Sequence, residues 1–297
     1  MKATAYTANE SREITEFLHL NIIERLLQES SWVYKDIVFQ GGTSLHLAWR
    51  SPRFSEDLDF LLSEDRENEM VKILSRTAKK LSADVKTKYG GHLEFKQKGE
   101  RNGLLTFNFK YSHPEKRGKV FVKTEFLKTN QENINRYESV AKDMDSDYLE
   151  ISIKPYATVS SLPMLYADKV LAIVQRPYLK PRDYFDLWWI RKSADLPAHT
   201  TWKDDFLDKL EVNFSIYKTD GKNFVYHLGN KIQADHQSKF LDSQQLRNDL
   251  KNWLPRNTFQ VLMSNNAFED IEKFVKNELI SIHETLKEHY LDSSSSL

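Results

Sequence analysis

Two carboxylates one residue apart, Asp57 and Asp59, stand in the run Asp57-Leu58-Asp59-Phe60-Leu61-Leu62. Acid alternating with apolar residues predicts a strand, with both carboxylates on one face and Leu58, Phe60 and Leu62 on the other. Two hard oxygen donors on one rigid element suit Mg²⁺, which takes few carboxylates and keeps several waters. Paired ions of this kind can clamp the attacking and leaving oxygens of phosphoryl transfer. Upstream, Asp36 to Gln40 is a short apolar run that predicts a buried strand ending at Gly41-Gly42. A helix is expected to begin at Thr43 or Ser44. Glycines let the backbone approach an anion, a helix start presents free N–H groups, and Thr43 and Ser44 add hydroxyls; a triphosphate tail needs such a set. Each piece alone reads first as a water-facing edge strand or an ordinary turn. Their order, with 13 residues between Thr43 and Asp57, is what points to a site.

Glu125 is the candidate third carboxylate, in the apolar run Val120-Phe121-Val122-Lys123-Thr124-Glu125-Phe126. An unpaired acid in such a strand is costly, and either a metal charge or an ion pair with Lys123 on the same face would offset the cost. A second constellation is helical. Lys169 shares a face with Leu165 and Ile173, so its ammonium either snorkels outward or points into a cleft. Fourteen residues on stands Asp183, in Arg182-Asp183-Tyr184-Phe185-Asp186. Prolines in the connector let the two helices fold back as a hairpin. Asp183 then approaches Lys169, either facing the carboxylate strand with it or closing an interhelical salt bridge.

The elements that must position these groups change character along the chain. Helices are predicted over 10–29, 43–50 and 66–81. Strands are predicted around 92–98, 104–111 and 119–127, punctuated by glycines. From Ser160 or Ser161, which can cap a helix ahead of Pro163, the pattern turns helical. One helix runs to about Gln175, a second spans 182–192, and a long last helix lies near 267–290. Ser293 to Ser296 is expected to fray. The reading is an α+β chain with a mixed first domain, residues 1–155, and a helical second domain, residues 156–297.

Composition bounds the rest. The chain has 297 residues, 43 Lys+Arg and 43 Asp+Glu, and no cysteine. That excludes disulfides, thiolate metal sites and cysteine nucleophiles. The N-terminus lacks the marks of a signal peptide and no run is apolar enough for a transmembrane helix, so a cytoplasmic protein without membrane contact is expected. Zero net charge conceals a split: residues 1–71 sum to −6, 72–128 to +10 and 129–297 to −4. The basic stretch could meet a nucleic acid or a nucleotide; its alternative is a solvated surface.

Gly-Gly-Thr-Ser-Leu at 41–45 followed by Arg53-Phe54-Ser55-Glu56-Asp57-Leu58-Asp59-Phe60 resembles the first motif of the AbiEii/AbiGii toxin nucleotidyltransferases, within the DNA polymerase β-like superfamily. Ala167-Asp168-Lys169-Val170-Leu171-Ala172 and Lys180-Pro181-Arg182-Asp183-Tyr184-Phe185-Asp186-Leu187 resemble that family's lysine and Arg-Asp motifs. The likeness covers roughly 35–192; residues 195–297 carry no matched motif. It implies a polymerase β-like lobe, a small mixed sheet with flanking helices, joined to a helical C-terminal lobe, with the site between them. It implies Mg²⁺, as one or two ions and with Mn²⁺ as substitute, on Asp57, Asp59 and Glu125. It implies nucleotide contacts at Gly41, Gly42, Thr43, Ser44, Lys169 and Arg182, and functional roles for Lys169 and Asp183. It further implies an NTP substrate, an RNA acceptor such as a tRNA 3′ end, and a block of translation in toxin–antitoxin or abortive phage defence. Relatives called MenT transfer nucleotides to tRNA 3′ ends. The antitoxin is normally a separate protein with a DNA-binding domain.

Overall fold

Strands whose apolar residues alternate need one covered face, and here they share it in a single mixed sheet. A computed structural model describes residues 3–28, 36–150, 154–193, 203–233 and 242–292. The chain divides into two compact units, residues 1–50 with 55–160, and residues 51–54 with 161–297.

The first unit contains β1 (Thr4–Ala5), α1 (Ala8–Gln28), β2 (Ile37–Gln40), α2 (Gly41–Leu47), β3 (Leu58–Ser63), α3 (Glu67–Tyr89), β4 (His92–Arg101) and β5 (Leu104–Ser112). It continues with β6 (Lys116–Arg117), β7 (Val120–Thr129), α4 (Gln131–Arg136), β8 (Ser139–Asp143) and β9 (Tyr156–Ser160). Seven strands form one sheet in the order β4-β5-β7-β3-β2-β9-β8, while β1 and β6 pair separately. Neighbours run antiparallel except β3 with β7 and β2 with β9, which are parallel. One face is apolar. Phe60 stacks on Phe126 at 4.9 Å between ring centroids, and Phe107 meets Phe126 edge-on at 5.9 Å. Helices α1 and α3 cover this face, adding Leu18, Ile22 and Leu26 from one and Met70, Ile73 and Leu81 from the other to the same core. The opposite face carries the polar members of the alternation.

Two differences from the sequence expectation have physical causes. Helix α3 runs to Tyr89 rather than 81, because Val85 is still buried and the helix ends only where Gly90 takes φ +75°. Strands β8 and β9 were not predicted. They are five residues each, and β9 ends immediately before the Ser161 helix cap, so the turn signals that mark a strand are missing on one side. The expected domain boundary at 155 falls before β9, whereas the break between the units follows Ser160.

The second unit contains α5 (Leu162–Gln175), α6 (Pro181–Ser193), α7 (Lys203–Tyr217), α8 (Gly221–Gln233), α9 (Ser243–Leu250), α10 (Arg256–Ser264) and α11 (Ala267–Tyr290). Ser161 caps α5 by accepting from the Met164 N–H at 3.3 Å, with Pro163 in the first turn. Ile271, Val275, Leu279, Ile282 and Leu286 recur at three- and four-residue steps along α11 and are buried. The serine run 293–296 lies outside the described residues. Among the described residues, no helix is long and apolar enough to cross a membrane.

The Phe60–Phe126–Phe107 stack holds β3, β7 and β5 together from the core side. Phe126→Ala is expected to lower the urea midpoint by the equivalent of about 3–5 kcal/mol, and a midpoint within error of wild type would contradict that account.

Candidate functional site

The parallel pairing of β3 and β7 sets Asp59 opposite Glu125. Antiparallel pairing sets Gln40 opposite Asp59 and Thr106 opposite Glu125. One row across four strands therefore reads Gln40, Asp59, Glu125, Thr106 on the polar face. The Thr106 hydroxyl lies 3.4 Å from Glu125 Oε1. Gln40 Oε1 accepts from the Tyr137 hydroxyl at 3.2 Å, and that hydroxyl also lies 2.8 Å from Ser160 Oγ.

The glycine turn meets this row. Gly41 has φ +79°, and a Cβ built on it would lie 2.5 Å from Asp59 Oδ2. Only glycine suits both the backbone and the close carboxylate. Helix α2 begins at Gly41, two residues before the predicted start. Thr43 and Ser44 are fully buried. The Thr43 hydroxyl donates to the Asp57 carbonyl, and the Ser44 hydroxyl donates to the Gly41 carbonyl at 3.0 Å. Both hydroxyls thus place their protons inside the protein: Thr43 ties α2 to the residue just before β3, and Ser44 braces the glycine turn.

Lys123 stands among the carboxylates. Its ammonium lies 3.3 Å from Asp57 Oδ2 and 2.8 Å from Glu125 Oε2. Burial pulls its pKa down, but the two carboxylates outweigh this and hold it above the ordinary lysine value. The ion pair read as an alternative for Glu125 is present. Among the described residues, no three His, Asp or Glu side chains gather into a closed metal-binding set. The cation that Asp57 and Glu125 share is this ammonium. The donors nevertheless fit Mg²⁺: they are hard oxygens, they converge on a positive charge, and Mg²⁺ is usually held by one or two carboxylates with phosphate and water completing its shell.

Beneath the site lies a polar network with no motif to announce it. Glu16 of α1 is fully buried and accepts from His46 Nε2 at 2.7 Å and from the Ser146 hydroxyl. His19, one turn further along α1, is also fully buried, and its Nε2 lies 2.8 Å from the Glu56 carbonyl, next to Asp57. Burial pushes the His19 imidazole down to about 4, against the pull of that carbonyl and of Glu16. Glu16 and His19 are polar residues three apart within the apolar stripe of α1, the only sequence signal they offered.

In the second unit, α5 and α6 form the expected hairpin. The Lys169 ammonium is 3.2 Å from Asp183 Oδ1 and 2.7 Å from Asp186 Oδ2. Asp186 also takes a two-pronged bond from Arg53, Nε to Oδ1 at 2.6 Å and Nη2 to Oδ2 at 2.7 Å. Arg53 and Asp186 both stood inside quoted motifs without a role. Asp183 is further paired with Arg176. Burial alone would raise both aspartates; for Asp186 the Arg53 and Lys169 charges prevail, for Asp183 Lys169 and Arg176, and each ends below its ordinary value. Burial likewise pushes Lys180 down to about 8. Arg182 is not in this cluster: its guanidinium lies 4.1 Å from the Trp253 ring centroid. Trp253 also stacks with Phe54. Beside Arg176 a cleft of about 940 Å³ opens, lined also by Lys218, His227 and Lys231.

A glycine turn against carboxylates on a mixed sheet, and a helical unit carrying a buried Lys–Asp pair, are the two charged features of this α+β chain. The profile described as Nucleotidyl transferase AbiEii toxin, Type IV TA system, matches residues 25–271, and the chain belongs to this family. Membership implies an NTP substrate and an antitoxin partner. MenT4, nucleotidyltransferase toxin Rv2826c from Mycobacterium tuberculosis H37Rv, shares the fold at TM-score 0.51 and 15% identity, over 97% of this chain and 92% of that one. JHP933 from Helicobacter pylori aligns at TM-score 0.47 and 15% identity, over 97% and 99%. No curated protein matched the chain in sequence.

Two predictions follow from the buried groups. Asp186→Asn leaves Arg53 and Lys169 short of a counter-charge and is expected to cost about 3–5 kcal/mol in denaturant melts; a loss below about 1 kcal/mol would contradict the buried-pair account. His19 is protonated in the unfolded chain below its ordinary value of 6.5 but refuses the proton when folded until about 4. Stability therefore falls as pH drops through that window, by on the order of 3 kcal/mol from this residue. His19→Gln, whose amide can still meet the Glu56 carbonyl, is expected to flatten the decline between pH 6.5 and 4. An unchanged slope would remove His19 as its source.

Proposed function

We propose that this chain transfers a nucleotidyl group from an NTP to the 3′ end of an RNA, a tRNA foremost, and so blocks translation until its antitoxin intervenes. Supporting this reading is one observation above others: strand register sets Asp59 beside Glu125, the Gly41 turn packs against the Asp59 carboxylate, and Asp57 stands one residue before β3. In the reaction, an acceptor hydroxyl oxygen forms a bond to the α-phosphorus. The bond from that phosphorus to the bridging oxygen breaks, and pyrophosphate leaves with the electron pair. Asp59 or Glu125 takes the hydroxyl proton. The Gly41–Gly42 turn and the backbone N–H groups at the start of α2 receive the phosphates, with Thr43 and Ser44 holding that turn in shape. Lys169 and Arg182 are assigned to the nucleotide, and Asp183 to holding Lys169. Mg²⁺, bound by Asp57 and Asp59 with Glu125 completing the set, supplies charge neutralisation at the phosphate oxygens when present. In its absence Lys123 offsets the carboxylate charge.

Incubation with each labelled NTP and total RNA tests the reading. Wild type is expected to label RNA, and EDTA to stop it. Asp57→Ala and Asp59→Ala are each expected to lose more than about a hundredfold in rate. No transfer from any of the four NTPs by folded protein would overturn the proposal, and label on protein instead of RNA would replace its acceptor.

A further inference from the structure

The basic stretch 72–128 divides in the structure. Lys116 pairs with Glu10, Lys119 with Glu94, Lys123 with Asp57 and Glu125, and Lys128 with Glu67 and Glu100. Among the described residues, Lys96, Arg101 and Lys110 have no carboxylate within ion-pair distance. Strand register puts these three on the polar face with the site. Arg101 lies opposite Leu104, Lys96 opposite Asn108, and Lys110 opposite Glu94 and Phe121. Leu104, Thr106, Asn108 and Lys110 alternate along β5, and Thr106 is the residue that faces Glu125.

The same face exposes an aromatic ring. Phe121 is 39% exposed, although it lies in a strand whose other aromatic, Phe126, is fully buried. It is four residues from Glu125 along β7, about 13 Å. Between them, Asn108 sits opposite Lys123 and is only 5% exposed, yet its Oδ1 meets no donor. A ring beside Lys110, with Lys96 and Arg101 spaced further along the same face, suits an unpaired nucleotide strand, whose bases stack and whose phosphates need positive charge at successive positions.

We infer that the open face of β4, β5 and β7 is the platform for the single-stranded end of the RNA acceptor, with Phe121 stacking a base and Lys96, Arg101 and Lys110 holding phosphates. This rests on the RNA reading above and adds the surface on which the acceptor lies. An acidic protein segment would use the three cations but gain little from Phe121, so the ring separates the two classes of partner.

The test is fluorescence anisotropy with a short fluorescein-labelled single-stranded oligoribonucleotide of mixed sequence, followed over a salt series. Phe121→Ala is expected to weaken binding about 5- to 100-fold, and Phe121→Trp to restore it. The triple variant Lys96→Gln, Arg101→Gln, Lys110→Gln is expected to lower the slope of log affinity against log salt by about 2, near 0.7 per lost phosphate contact. Thermal melts confirm that each variant is folded. Equal affinity and slope in all variants would overturn the inference, as would a loss in Phe121→Ala that Phe121→Trp fails to restore. Tight binding of an acidic peptide that survives Phe121→Ala but not the triple change would also overturn it, in favour of a protein partner. If wild type labels RNA while the variants label it equally well, the platform fails and the transferase reading stands. If wild type labels no RNA, that reading fails separately.

Discussion

A one-residue slip of β3 between β2 and β7 would turn Asp57 and Asp59 into the layer of Phe60 and Leu62. Two carboxylates would then lie in an apolar core and two large apolar groups in water. The penalty on both sides locks the register. With β3 locked, Asp59 must fall beside Gln40 and Glu125, and Gly41 must give the Asp59 carboxylate room. Thr43 then ties the glycine turn to the start of the same strand. The site is thus a by-product of packing one face of a sheet, which is why it can be rigid without a dense set of contacts of its own.

The helical unit solves a different problem. Lys169, Asp183, Asp186 and Arg53 are all buried. Burying such charges is expensive, and the geometry repays it only because every carboxylate oxygen of Asp186 meets a cation and Lys169 meets two carboxylates. The short segment 51–54 belongs to this unit, so Arg53 carries one charge of the cluster from a stretch of chain that lies between α2 and β3. Asp186 joins Arg53 to Lys169, so its loss strips a counter-charge from both at once.

These two features are set by local geometry, the register of β3 and the pairing of α5 with α6. They do not depend on overall charge. The chain is neutral because acids near the carboxylate strand balance a basic stretch, and within that stretch the structure separates cations already paired from those left open on the sheet.

Much was legible from the sequence alone. Alternation in 57–62 and 104–111, the capping serine before Pro163 and the periodicity of 267–290 each dictate local structure through nearest neighbours, and the strands and helices formed where they pointed. The motif spacing also brought Lys169 and Asp183 together, since a short proline-bounded connector leaves two helices little choice but to pair. What the sequence could not determine depends on partners far along the chain. Whether Glu125 meets Asp59, where the Thr43 and Ser44 hydroxyls point, which acid Arg53 finds, and how Glu16 and His19 brace the floor beneath Asp57 are set by strand order and register. Those follow from the global burial of one sheet face, a constraint that no local run of residues contains.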